Sequence, residues 1–342
     1  MTLASVVGQP RAIDALQAAI RGNSVHHAYL FAGPEGVGKE LAAVGLAQAL
    51  LCEAKRDEGC GTCSTCTRIA RNLHPDVTWV LPDAERVSRG FAGRSDIQGV
   101  PSREIRIDAI RALQERLSLH GLESRRKIAI VLSAETLNRM AQNAFLKTLE
   151  EPPSDTTLVL VASSPDALLP TLRSRCSFIH FGPLPEAYLA ERLQKERKLT
   201  REDARLVAVM AGGSIGRALA LDVNALADRQ ELIRGFEALH AGGVGPLLRF
   251  AERHGASREE AEQSLAILQL WNRDVALASA GAANLANQDL ASLAVEVAAR
   301  VSRTWLHRRH ELLGHAQYLI GERNGAPRLQ LERMLIDMWE RA

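Results

Sequence analysis

Residues 31–41 read Phe-Ala-Gly-Pro-Glu-Gly-Val-Gly-Lys-Glu-Leu, and this stretch decides the fold. Gly33, Gly38 and Lys39 stand at the spacing of a phosphate-binding loop, G-x-x-x-x-G-K-[ST]. Glycines let the chain turn so that successive backbone N–H groups face one hollow, and the helix that begins near Lys39 turns its positive end toward it. Pro34, Glu35, Gly36 and Val37 complete the cradle, and the Lys39 ammonium is positioned to reach β- and γ-phosphates. The next position breaks the pattern. A serine or threonine hydroxyl should hold magnesium there, and the residue is Glu40. The flanks nevertheless have the required order. His27–Ala32 (HAYLFA) is a short apolar run that predicts a buried parallel strand, and the Ala- and Leu-rich residues 39–51 predict the following helix. Ile13, Leu16 and Ile20 fall at helical spacing within residues 8–22, with Gly22 as the stop.

The bulk properties bound what such a loop can serve. At 342 residues the chain exceeds one ordinary core, so about two or three domains are expected. Its 42 basic and 40 acidic residues leave a net charge of +2, which excludes a polybasic, histone-like protein but leaves room for a local basic patch. Aromatics are only 4% of the chain, which argues against a base-stacking surface for single strands. No apolar run approaches the ~20 residues of a membrane helix, and the opening MTLASVVGQPR lacks the form of a signal peptide. The expectation is a cytoplasmic protein with no membrane partner.

Cys52, Cys60, Cys63 and Cys66 are spaced C-x7-C-x2-C-x2-C. In a reducing compartment that crowding suggests a metal rather than disulfides. Four thiolates close a tetrahedral structural zinc site with no open position, holding together a small module with too few apolar residues to fold alone. An iron–sulfur cluster and free thiols are the competing readings.

Residues 77–81 predict a second strand, and the Gly-, Arg- and Ser-rich segment that follows, to residue 102, reads as a surface loop. Residues 105–119 carry apolar positions on a helical repeat, and Lys127–Leu132 predicts another buried strand. In an active P-loop ATPase this strand ends in acidic residues that hold magnesium and polarise water. Here it ends Leu132-Ser133-Ala134, and the first carboxylate, Glu135, comes late. Residues 143–150 predict a helix stopped by Pro152 and Pro153, and residues 158–162 a further buried strand ending at Ser163-Ser164. Arg175 follows within Ser174-Arg175-Cys176. It reads either as a surface arginine or as a guanidinium aimed at a neighbouring subunit's triphosphate.

HAYLFAGPEGVGKE, the four-cysteine insertion, NAFLKTLEEPP and the Ser-Arg-Cys triplet occur together and in this order. Over residues 1–182 the chain resembles bacterial replicative clamp-loader subunits of the AAA+ class, and more weakly beyond. That family contains a motor ATPase (gamma or tau) and a non-hydrolysing stator (delta-prime). The resemblance implies an α/β P-loop AAA+ domain with parallel sheet and inserted zinc module at 1–182, a small helical lid at 183–225, and an all-α collar for oligomerisation at 226–342. It places Arg217 where active relatives carry a nucleotide-sensing arginine. It also implies partners: gamma/tau and delta subunits in a heteropentamer, the sliding clamp, and primed DNA reached through the assembly. Trp271, Trp305 and Trp339 in the collar read as core.

Glu40 and Leu132-Ser133 remove both parts of the magnesium chemistry, so magnesium is not expected and ATP or ADP could be held only in a degenerate site. The resemblance implies that Arg175 serves a neighbour's site, not its own. The expectation is therefore a stator with no ATPase of its own, acting as a subunit of a DNA polymerase holoenzyme. A gamma/tau-type motor and a non-catalytic AAA+ scaffold are the alternatives. A P-loop kinase would need a hydroxyl at position 40. A zinc-dependent DNA-binding protein would need more basic residues around the cysteines than Lys55, Arg56 and Arg68, which Glu53, Asp57 and Glu58 offset.

Overall fold

The computed structural model describes residues 2–339 apart from 56, 98, 125, 222–223, 240–242, 283, 322 and 324. The chain divides into two compact units. One comprises 1–189 with 212–217, the other 190–211 with 218–342.

The first unit is built on a five-stranded parallel sheet in the order β2-β3-β4-β1-β5. The strands are β1 (Ala28–Ala32), β2 (Val77–Val80), β3 (Lys127–Val131), β4 (Thr156–Ala162) and β5 (Ser177–His180). Every residue of β1 and β4 is buried, as expected of inner parallel strands covered on both faces. Alternation along the strands sorts their side chains to two cores. Tyr29, Phe31, Ile128, Ile130, Val159 and Val161 face one way. They pack with α1 (Pro10–Arg21), α2 (Lys39–Leu51) and α3 (Ser64–Ala70), which contribute Leu16, Leu46 and Ile69. Leu30, Ala129, Val131, Leu158 and Leu160 face the other way. There they meet α5 (Ile107–Ser118) and α6 (Arg139–Glu150) through Ile110, Leu113, Phe145 and Leu149.

Two elements depart from the sequence expectations. Residues 83–88, read as loop, form a helix, α4 (Asp83–Ser88). The edge strand β5 carries no strand signal in the sequence, because it is four residues long and only every second side chain is even partly buried. Its place is fixed by pairing with β1 across Tyr29–Ser177 to Ala32–His180. After α7 (Pro170–Arg173), β5 leads to α8 (Glu186–Arg197), α9 (Arg201–Met210) and α10 (Ile215–Ala220).

The second unit continues through α11 (Asn224–Ala238), α12 (Val244–His254), α13 (Arg258–Ser279), α14 (Ala291–Arg300), α15 (Arg303–Gly321) and α16 (Pro327–Trp339). α14 and α15 are separated before Arg303, where the Ser302 hydroxyl accepts the Trp305 backbone N–H at 3.1 Å. Trp271 is fully buried and Trp305 packs against the same core, whereas the side chain of Trp339 lies outside the described residues. Two buried arginines find polar partners within this core, each keeping one buried guanidinium nitrogen without a hydrogen bond. Arg229 bonds Asn287 and Asp289, and Arg309 reaches Asn272 at 2.5 Å and Glu237 at 2.8 Å. A buried guanidinium without such partners would carry a cost of several kcal/mol.

Candidate functional site: a glycine loop without its metal ligands, and a four-cysteine cluster

The glycine loop joins β1 to α2 as the sequence requires, and Gly36 and Gly38 take positive φ values of 72° and 100°. The loop is crowded from outside. A Cβ on Gly33 would lie 1.9 Å from the Phe181 carbonyl oxygen, and one on Gly36 would lie 2.2 Å from the Ser214 hydroxyl. Gly36 also accepts the Gly216 backbone N–H at 3.2 Å, so residues 212–217 seat on the loop. Beside them the Arg217 guanidinium stands 3.9 Å from Glu35, with both side chains largely exposed.

Lys39 is buried and turned back on its own loop. Its Nζ donates to the carbonyls of Gly33 at 2.5 Å and Pro34 at 2.6 Å, and to the Ser163 hydroxyl at 3.3 Å. Burial lowers its pKa, against the opposing pull of the Glu135 and Glu35 carboxylates. Glu135, too late in sequence for the usual acidic position, is folded back so that one carboxylate oxygen accepts the Ser163 backbone N–H at 3.1 Å. Its other oxygen is buried with no hydrogen-bond partner in the protein.

Glu40 makes a bidentate ion pair with Arg89, the residue that caps the C-terminus of α4, at 3.0 Å. Ser133, at the end of β3 with φ of 48°, donates its hydroxyl to Glu85 of the same helix at 2.7 Å. One short helix therefore covers both positions at which the magnesium chemistry is missing. No local sequence signal gives Arg89 this place, because the pairing spans 49 residues.

Arg175 lies just after α7. It donates to the Thr171 carbonyl at 2.7 Å and pairs with Glu150, the last residue of α6, at 2.7 Å. About a third of its side chain is exposed, at 35%. The preceding Arg173 pairs separately with Asp166.

The four cysteines come together where α2 ends and α3 begins. Cys52 caps α2, Cys63 is the N-cap of α3, and Cys66 lies in its first turn. All four sulfurs lie within 4.8 Å of one another. Cys52 and Cys63 sulfurs are 3.8 Å apart, and those of Cys60 and Cys66 are 3.9 Å apart. A tetrahedral shell with metal–sulfur bonds of about 2.3 Å requires sulfurs about 3.8 Å apart. Backbone N–H groups of Lys55 and Cys60 point at the Cys52 sulfur, that of Cys63 at Cys60, and that of Cys66 at Cys63. Such donors stabilise thiolates around a cation. The Cys63 N–H, with help from Thr62, pulls the Cys60 thiol down to about 5, whereas burial pushes Cys66 up to about 12. The donor set is soft, complete and able to hold a metal ion. Gln48 ties the cluster to α2 by donating to the Cys66 carbonyl at 2.9 Å. On its far side Arg68 makes a bidentate pair with Glu123 at 2.8 and 2.5 Å.

With this geometry established, the sequence was compared with known proteins. Residues 8–185 match the family described as DNA polymerase III, delta subunit. The chain is 35% identical over 234 residues to DNA polymerase III subunit delta-prime of Bacillus subtilis strain 168, covering 68% of this chain and 65% of that one. It is 31% identical over 292 residues to delta-prime of Escherichia coli strain K12, covering 84% and 81%. The chain belongs to the DNA polymerase III delta-prime family. A more distant match within the same polymerase is subunit gamma/tau of Mycobacterium tuberculosis strain H37Rv, 28% identical over 373 residues and covering 97% of this chain and 60% of that one. Among the described residues no helix is long and apolar enough to cross a membrane.

Proposed function

We propose that this chain is the stator of the replicative clamp loader, a cytoplasmic AAA+ subunit that hydrolyses nothing itself and donates Arg175 to the ATP site of a neighbouring gamma/tau motor. The observation that carries the reading is a division of labour. Glu40 and Ser133 are committed to α4, while Arg175 sits partly exposed beside Glu150. A planar guanidinium is suited to the charge that spreads over a transferring phosphoryl group.

In this reading residues 1–182 form the AAA+ domain, 183–225 the lid and 226–342 the collar that joins gamma/tau and delta subunits in a heteropentamer. The assembly opens the sliding clamp and places it on primed DNA. Zinc is the metal of Cys52, Cys60, Cys63 and Cys66, and its work is structural because four thiolates leave no open position. Arg217 is a remnant of nucleotide sensing, too exposed and too weakly held at 3.9 Å from Glu35 to fix a phosphate by itself.

The test is Arg175→Ala in the reconstituted complex. Turnover at the one ATP site it serves should fall by about 10³-fold, with assembly on a sizing column unchanged. An unchanged clamp-loading ATPase rate would remove the arginine from the mechanism and leave a scaffold.

A further inference from the structure

The segment from 83 to 102 has no role in the stator reading, yet its helix lies on the glycine loop. Arg89 holds both carboxylate oxygens of Glu40 at 3.0 Å. Burial works against the Arg89 charge, but Glu40 outweighs it, and Glu85 and Glu35 add to the attraction, so the guanidinium pKa is raised. The loop's own Glu35 is thus within electrostatic reach of Arg89. Four residues earlier in the same helix, Glu85 occupies Ser133. The hollow is further spent from within, since the Lys39 ammonium is taken up by Gly33, Pro34 and Ser163.

We propose that the Arg89–Glu40 pair closes this chain's own loop to magnesium nucleotides. The pair stands where the metal and its hydroxyl ligand belong, and α4 is the element that carries it.

Magnesium demands a near-ideal octahedron of oxygens and usually takes one or two carboxylates plus phosphates. A carboxylate already bound to a guanidinium in a fork is not available to it. An incoming polyphosphate would have to break that fork and face Glu35, Glu85 and Glu135 around the loop. The carboxylates of Glu35, Glu40, Glu85 and Glu135 offset the charges of Lys39, Arg89 and Arg217 around the loop, which leaves no positive excess for phosphate. Stability does not explain the pair. Both side chains are 39% exposed, and exposed ion pairs contribute about 0–1 kcal/mol.

The two members of the pair have separable consequences. Removing Glu40 alone leaves Arg89 with only its longer 3.9 Å contact to Glu85, so that it can meet phosphate in place of a metal. Removing both leaves the hydroxyl and an empty cation position, so that magnesium becomes the only counter-charge.

The experiment is nucleotide-binding calorimetry on the full purified chain, titrated with ATP with and without magnesium. The wild type should show no saturable binding to about 1 mM. Glu40→Ser should gain at least about tenfold in affinity, equally with and without magnesium, as expected for a new charge-assisted phosphate contact. Glu40→Ser/Arg89→Ala should bind only with magnesium. Arg89→Ala alone frees the Glu40 carboxylate for the metal and should gain affinity only with magnesium. Melting temperatures within a few degrees of wild type would verify that each variant is folded. Wild-type binding as tight as that of the double variant, or the same magnesium dependence with and without Arg89, would overturn the proposal. The stator reading is untouched by either result, since Arg175 is tested separately in the complex.

Discussion

The four-cysteine cluster and the glycine loop lie at opposite ends of one helix, α2, and both have the backbone of a cation or phosphate site. Only one has kept its donors. At the C-terminal end, Cys52, Cys60, Cys63 and Cys66 are all present with sulfurs at metal-shell separations. At the N-terminal end, the turns and Lys39 remain, but an internal ion pair occupies the magnesium ligand's position. The difference lies in what holds each backbone in place. The cysteine module anchors only a few side chains, such as Cys66 and Ile69, in the buried interior, so loss of a metal from it is expected to loosen it. The glycine loop is packed between Phe181 and Ser214, contacts made by the protein itself.

That contrast can be broken most sharply at the cysteines. Cys63→Ser/Cys66→Ser should reduce zinc from one equivalent to none by elemental analysis. It should lower stability in urea by on the order of 5 kcal/mol, given the roughly 10–16 kcal/mol that structural zinc supplies to a free-standing module. Iron with visible absorbance in the wild type would instead mark a cluster. A smaller effect is expected at the loop. Gly33→Ala should cost about 1–3 kcal/mol in the same assay, through the clash with Phe181 and without any nucleotide present. An alanine tolerated there would mean that the glycine serves phosphate rather than packing.

A test of comparable size lies just beyond the module, at buried Asp76. Its carboxylate accepts the backbone N–H groups of Leu122, Glu123 and Ser124 at 2.7, 2.9 and 2.7 Å. Burial would raise its pKa, but these three donors overcome that and hold it below the usual 3.8. A depressed carboxylate stabilises the fold above its unfolded pKa and loses that contribution as pH falls through its folded pKa. Asp76→Asn should therefore cost about 1–3 kcal/mol at neutral pH, with the gap to wild type narrowing only below pH 3.8. A gap that stays constant into acid would assign the loss to packing.

Much of this molecule was legible in the sequence because its signals are local. The strand-loop-helix of β1 and α2 follows from an apolar run, a fixed glycine spacing and an Ala-rich stretch. The clustered thiols follow from C-x2-C-x2-C with a fourth thiol nearby, and the departures from the magnesium pattern from positions 40 and 132–133. What escaped depends on distant partners. Six residues are too few for a helix to persist alone, so α4 exists only because the rest of the unit receives it, and its Gly- and Arg-rich surroundings read as loop. The edge strand β5 is fixed by its neighbour β1 rather than by its own pattern.

The sequence by itself determined that the glycine loop lacks the oxygen groups of an ATPase and that four thiols are available to a metal, since both are matters of residue type at short spacing. Only the tertiary structure decided what replaced the missing groups. Arg89 reaches Glu40, and Glu85 reaches Ser133, across 49 and 48 residues of chain. A charged pair made at that distance leaves no periodicity to read, because it is the packing of α4 against the unit that brings its two halves within reach.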